Sequence, residues 1–226
     1  MGEALSFTHR FEPGGGLDAP PLLLLHGTGG DENDLLPLGR SIAAQSALLS
    51  PRGKVLENGM PRFFRRLAEG VFDEDDVRRR AVELANFVEA ARVRYGIVAP
   101  IAVGYSNGAN IAAAMLLLRP RTVAGAILLR AMVPLARPPQ ADLTGTPVLI
   151  ISGERDPIIT AANVTHLAEI LSGAGASVQH RTLPVGHQLS QVDLSIAGEW
   201  IESVRVASRT EGAAPASDER RTGSVR

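Results

Sequence analysis

Short, wholly apolar runs bounded by glycine or proline recur along this chain, and longer amphipathic stretches separate them. Leu22–Leu25 is uninterrupted leucine ending in His26-Gly27. Ala47–Leu49 is a weaker run, and Ile101–Val103, Ala126–Leu129 and Val148–Ile151 are rich in branched side chains. A strand with one wet face alternates polar and apolar residues. A strand with no polar position needs cover on both faces, as in a parallel sheet. Val178–Leu183 alternates more and is expected at a sheet edge, as is the first strand, which carries His9.

The intervening stretches carry helical periodicity. From Asp73 to Gly96, Val77, Ala81, Leu84, Val88, Ala91 and Tyr95 recur at steps of three and four, which makes one apolar stripe. Asp73, Glu74, Asp75 and Asp76 suit the positive end of the helix dipole, and Gly96 suits the exit. Further helices are expected over Ser106–Arg119, Ala161–Leu171 and Ile196–Val204, the last with Trp200 on its packed face. Strands alternating with helices predict a three-layer α/β domain with a mostly parallel sheet and right-handed crossovers. The domain is expected over residues 1–206. The remaining stretch, Ala207–Arg226, has one large aliphatic residue, Val225, and is expected to be a disordered tail.

Composition narrows the function classes. The chain has 226 residues and no cysteine, which excludes disulfides, thiolate metal sites and a cysteine nucleophile. A net charge of -1 argues against general nucleic-acid affinity. No apolar run approaches the roughly 20 residues of a membrane span, and the N-terminus lacks a signal-peptide pattern. A soluble, cytoplasmic protein is expected.

The chemistry centres on Gly104-Tyr105-Ser106-Asn107-Gly108, a G-x-S-x-G set between a strand pattern and a helix pattern. A nucleophilic serine must sit on a sharp strand-to-helix turn, and flanking glycines remove the side chains that would clash there. A hydroxyl needs a base. Of five histidines, His187 lies in a loop after the last strand, where an α/β sheet places its ligand site. His166 reads as a helix-surface residue, and His180 as a mid-strand residue that packs or faces solvent. His26 reads as a loop-shaping residue. The base needs an orienting acid. Asp156, in Gly153-Glu154-Arg155-Asp156-Pro157, is preferred over Glu154 because the loop must travel before its acid meets the histidine. The alternative is that Asp156 caps the next helix.

An oxyanion requires two donors, and the amides of Asn107 and Thr28 are assigned. The Thr28 loop, His26-Gly27-Thr28-Gly29-Gly30-Asp31, is not a phosphate loop, because no Gly-Lys-Ser/Thr follows. Asp31, Asn33 and Asp34 lack the central glycine and closing glutamate of an EF-hand loop, so no metal is expected there.

With these pieces in order, the chain resembles the α/β-hydrolases, and within them the phospholipase/carboxylesterase group that includes acyl-protein thioesterases. LLLLHGTGGDENDLLPL, GYSNGAN, ISGERDPII and GHQLS carry the resemblance, and SPRGKVLENGMPRFFRRL looks like a bacterial carboxylesterase branch. The resemblance implies a serine hydrolase without metal or cofactor, acting on short acyl or aryl esters and often dimeric. It implies Ser106, Asp156 and His187 as the triad, with Thr28 and Asn107 as oxyanion donors. Asn107 departs from the glutamine usual in the thioesterases, and no large lid domain is evident. A thioesterase or cyclic-ester hydrolase of the same fold is the nearest alternative. A non-catalytic binding protein is a more distant one.

The segment from Pro51 to Phe72 is long for a strand-to-helix link and holds Met60, Phe63 and Phe64. These, with Met132 and Val133, are candidate pocket walls. A satellite core under the loop is the competing reading. Arg62, Arg65 and Arg66 are weighed as a site for an acidic leaving group against a solvated helix face, and the latter is preferred.

Overall fold

The computed structural model describes residues 5–16 and 19–212, with side chains as far as 207. Seven strands form the main sheet: β1 (His9–Glu12), β2 (Leu22–Leu25), β3 (Leu48–Pro51), β8 (Ile101–Tyr105), β9 (Gly125–Leu129), β10 (Pro147–Gly153) and β11 (Ser177–Leu183). Their spatial order is β1-β3-β2-β8-β9-β10-β11. Every pairing is parallel except that of β1 with β3.

The two faces follow from the period of two along each strand. Leu23, Leu25, Ala102, Leu128 and Ile150 point into one core, under α2 (Glu74–Tyr95), α3 (Asn107–Leu118) and α4 (Ala161–Gly173). Leu22, Leu24, Val103, Ile127 and Ile151 point into the other, under α1 (Leu36–Ile42) and α5 (Gln191–Gly212). The central strands are apolar throughout because helices cover both of their faces. The expected α/β-hydrolase architecture is the observed one, and β1 and β11 occupy the edges.

The chain winds from β2 outward to β3, then returns past β2 to β8 and runs on to β11. The winding direction therefore reverses between β2 and β8. The carboxyl ends of strands at such a reversal leave an open crevice, and the loops after β2 and β8 face each other there.

Two elements differ from expectation. Residues 51–72 form no simple link and no helix. They fold into two hairpins, β4 (Val55–Glu57) with β5 (Met60–Arg62), and β6 (Arg66–Ala68) with β7 (Val71–Phe72). Helix α5 extends to Gly212, past the expected end at Val204 and the boundary at 206. No glycine or proline interrupts it between Glu199 and Glu211, and a docked helix propagates at little cost per residue. The rest of the expected tail, 213–226, lies outside the described residues. Among the described residues no helix is long and apolar enough to cross a membrane.

Candidate active site

Ser106 ends the β8 turn with φ 52° and ψ -112°, outside the ordinary wells of a residue with a Cβ. The glycines around it make this possible. A Cβ on Gly108 would lie 1.9 Å from the Leu25 carbonyl oxygen, and one on Gly104 would lie 2.5 Å from the Gly108 oxygen. Ser106 occupies the N-cap of α3, but its hydroxyl makes no capping bond. Its Oγ instead lies 3.0 Å from His187 Nε2.

His187 Nδ1 lies 2.8 Å from Asp156 Oδ2. An ionised carboxylate only accepts, so Nδ1 carries the proton and Nε2 offers its lone pair to the serine hydroxyl. The other Asp156 oxygen accepts from the amides of Ile158 (2.9 Å) and Ile159 (3.2 Å), and the side chain is 1% exposed. Thr160, not Asp156, caps α4, accepting from the Asn163 amide. Glu154 is exposed, and its own amide bonds the Leu183 carbonyl. The three residues assigned from sequence thus meet in one chain of hydrogen bonds across three loops.

A cavity of about 330 Å³ opens beside this chain, lined by Thr28, Asn107, Ser106, His187 and Met132, with Ile158, Phe72 and a polar group of Arg62, Arg66, Glu69, Tyr105 and Asn110. Thr28 and Asn107 therefore border the same space as the serine. The Asn107 side chain is buried, and its Oδ1 accepts from the Phe63 amide at 2.7 Å. Met132 is held by its own amide, which donates to Asn110 Oδ1 at 2.7 Å.

Four pocket candidates are corrected. Phe64 is fully buried and packs edge-on against Phe72, with ring centroids 5.0 Å apart. Phe63 is buried against His26 at 4.7 Å. Both rings fill a satellite core under the hairpins, where burial removes more apolar surface from water than a cavity wall would. Met60 is 40% exposed and sits over Gly29 outside the cavity. Val133 packs on the main core, and its amide is bound to Asn163.

The arginines separate. Arg65 is exposed and pairs with Asp73. Arg62 is 3% exposed, donates to Thr28 Oγ1 at 2.5 Å and to the Phe64 carbonyl at 3.2 Å, and lies 3.2 Å from Glu57. Arg66 donates to the same Glu57 carboxylate at 2.9 Å. Burial first, and the charge of Arg66 second, pull Arg62 below the ordinary arginine pKa against the attraction of Glu57. The hairpin thus carries a cation into the cavity wall, which a solvated helix face would not.

His26 does shape its loop. Its Nε2 accepts from the Gly53 amide at 2.9 Å, so Nδ1–H donates to the Gly27 carbonyl at 2.6 Å. Burial drives its pKa down, more than the Gly27 bond and the nearby Asp34, Asp31 and Glu32 raise it. His180 bonds Ser152 Oγ at 2.8 Å. His166 lies on the surface of α4, beside Glu169. His9 bonds Tyr95 at 2.7 Å.

Sequence reasoning missed Arg130 and Asp193, both fully buried and paired at 2.7 Å beside the His187 loop. It also missed Tyr105 and Asn110, which line the cavity.

Residues 17–205 match the family model described as Phospholipase/Carboxylesterase. The MhqD protein of Bacillus subtilis (strain 168) is 49% identical over 187 residues, 82% of this chain and 94% of that protein. The solved carboxylesterase of Bacillus cereus superposes with a TM-score of 0.85 at 44% identity, covering 88% of this chain and 94% of that one. A carboxylesterase from Mesorhizobium loti gives 0.81 at 35% identity, with 88% and 95% covered.

Proposed function

The chain belongs to the phospholipase/carboxylesterase family of hydrolases, and from that premise we propose that it is a serine carboxylesterase of short-chain acyl or aryl esters. The observation that carries the reading is His187, bridging Ser106 Oγ at 3.0 Å and Asp156 Oδ2 at 2.8 Å. In the reaction Ser106 Oγ attacks the ester carbonyl carbon as His187 Nε2 takes its proton. Asp156 fixes the tautomer and stabilises the imidazolium. The amides of Thr28 and Asn107 hold the oxyanion, each worth on the order of 3 kcal/mol of barrier. The Asn107 amide is at the first turn of α3, where backbone N–H groups lack intrahelical partners. Collapse of the tetrahedral species breaks the C–O bond. His187 protonates the leaving alcohol, and water then attacks the acyl-serine by the same route.

The cavity supports short substrates. It holds about 330 Å³, and Arg62, Arg66 and Tyr105 line it, so a long alkyl chain would have to desolvate charge. Turnover of p-nitrophenyl acetate and butyrate is expected for the wild type. A loss of at least about 10³-fold in kcat is expected for Ser106→Ala. Equal rates in the two proteins would remove the nucleophile assignment. A fluorophosphonate adduct at Ser106 is expected with the wild type, and its absence would favour a binding protein. A p-nitrophenyl chain-length series is expected to fall away at long acyl groups, and a rising series would overturn the short-chain preference.

A further inference from the structure

The segment from Pro184 to Ser190, between β11 and α5, has no regular secondary structure, yet it carries His187. Its position depends on side chains from elsewhere. Three successive carbonyls of this segment are each bound by one. The Gly186 oxygen accepts from Arg130 Nε at 3.1 Å, the His187 oxygen from the Tyr105 hydroxyl at 3.2 Å, and the Gln188 oxygen from Arg130 Nη2 at 3.0 Å.

Arg130 has every N–H occupied. Besides Gly186 and Gln188, Nη1 donates to the Ile151 carbonyl at 3.3 Å, and the two terminal nitrogens grip Asp193 at 2.7 and 3.1 Å. A guanidinium offers five N–H groups in a fixed fork, and all five have acceptors here. Asp193 in turn accepts from the amide and the hydroxyl of Ser190, both at 2.8 Å, which closes the segment onto the start of α5. Both charged side chains are 0% exposed, and Arg130 has a φ of 56°. Burying an ion pair and holding a non-glycine residue in the left-handed region both oppose folding. A purely structural pair would have no reason to bracket one residue, whereas these acceptors lie directly on either side of His187.

We propose that Arg130, oriented by Asp193 and assisted by Tyr105, is a positioning residue that sets where the His187 ring meets Ser106. The inference rests on the catalytic role proposed for His187. Tyr105 precedes Ser106 in the chain, so the clamp ties the histidine loop to the serine turn directly. An arginine is required because only a planar fork reaches three carbonyls and a carboxylate together.

The test uses full-length wild type, Arg130→Met, Arg130→Lys and Tyr105→Phe. Competent sites are counted by fluorophosphonate titration, so a less stable variant is not scored as a poorer catalyst. For Arg130→Met, kcat per titrated site is expected to fall about 10- to 100-fold, the range seen when outer-shell partners are lost, with KM within about twofold. Arg130→Lys, which keeps the charge without the fork, and Tyr105→Phe, which removes one neutral bond, are expected to fall less in the same direction. The His187 ring is followed independently by NMR. The Nδ1 proton held by Asp156 is expected to broaden or shift in each variant. Wild-type kcat per site and an unchanged ring signal in Arg130→Lys and Tyr105→Phe would overturn the proposal, even if Arg130→Met failed to fold. Retained turnover in His187→Ala would instead sink the assignment of function, while the ring signal would still report on the clamp.

Discussion

Ser106 holds a backbone conformation that costs on the order of 1–3 kcal/mol for a residue with a side chain. The surroundings impose it, chiefly the approach of α3 to the end of β2, where Gly108 meets the Leu25 carbonyl. A methyl group there would lie 1.9 Å from the Leu25 carbonyl oxygen, against backbone that cannot swing away. Gly108→Ala is therefore expected to destabilise by about 3 kcal/mol or more, at the upper end of overpacking effects. A urea titration with an unchanged midpoint would refute this. At this scale the sequence was legible where chemistry is local. Ser106 is readable because the glycines at 104 and 108 serve one turn. Arg130 and Asp193 were not readable. They lie 63 residues apart, and neither has a signature marking it as buried rather than solvated.

Helix α2 was legible almost to the residue, because its signals are also local. Asp73 accepts from the Asp76 amide at the start, and Gly96 ends the helix with φ 65°. A Cβ on Gly96 would meet nothing within 4 Å, so the left-handed backbone alone decides the effect of a substitution. Gly96→Ala is expected to cost about 1 kcal/mol, read as a lower melting temperature with activity retained. The hairpin segment was misread as a link. Asn58-Gly59, with φ values of 52° and 80°, is the two-residue turn that specifies a hairpin, and that dipeptide was the available signal. Which way Phe63 and Phe64 point could not be read from it. The Phe63 amide is bound to Asn107, 44 residues away, and its ring packs on His26, both long-range contacts.

On the scale of the whole molecule, one buried and one half-buried histidine couple stability to pH. Burial holds His26 and His180 below the ordinary imidazole value. The unfolded chain, with histidines near pKa ~6.5, binds protons at a pH where the folded protein keeps these two neutral. Stability from this source is full above about pH 6.5 and declines as the pH falls towards the folded values. The melting temperature is expected to be lower at about pH 5.5 than at about pH 7.5, and His26→Asn is expected to flatten that slope. A melting temperature independent of pH over this range would contradict the assignment. At Asp193, burial alone would raise the pKa, but the bonds from Arg130 and Ser190 outweigh it and hold it low. Its share of stability is therefore lost only in stronger acid, below about pH 4.

Sequence alone determined the layered α/β class, the strands covered on both faces, the ends of α2 and the serine turn. Each is written in residues near one another in the chain, through periodicity, caps and glycines that local sterics demand. Only the tertiary structure decided that the histidine loop is held by Arg130 and Tyr105, that Arg62 enters the cavity wall and that the phenylalanines leave it. Those outcomes depend on which groups compete for the same buried space and the same hydrogen bonds. That competition exists only after distant segments have packed together.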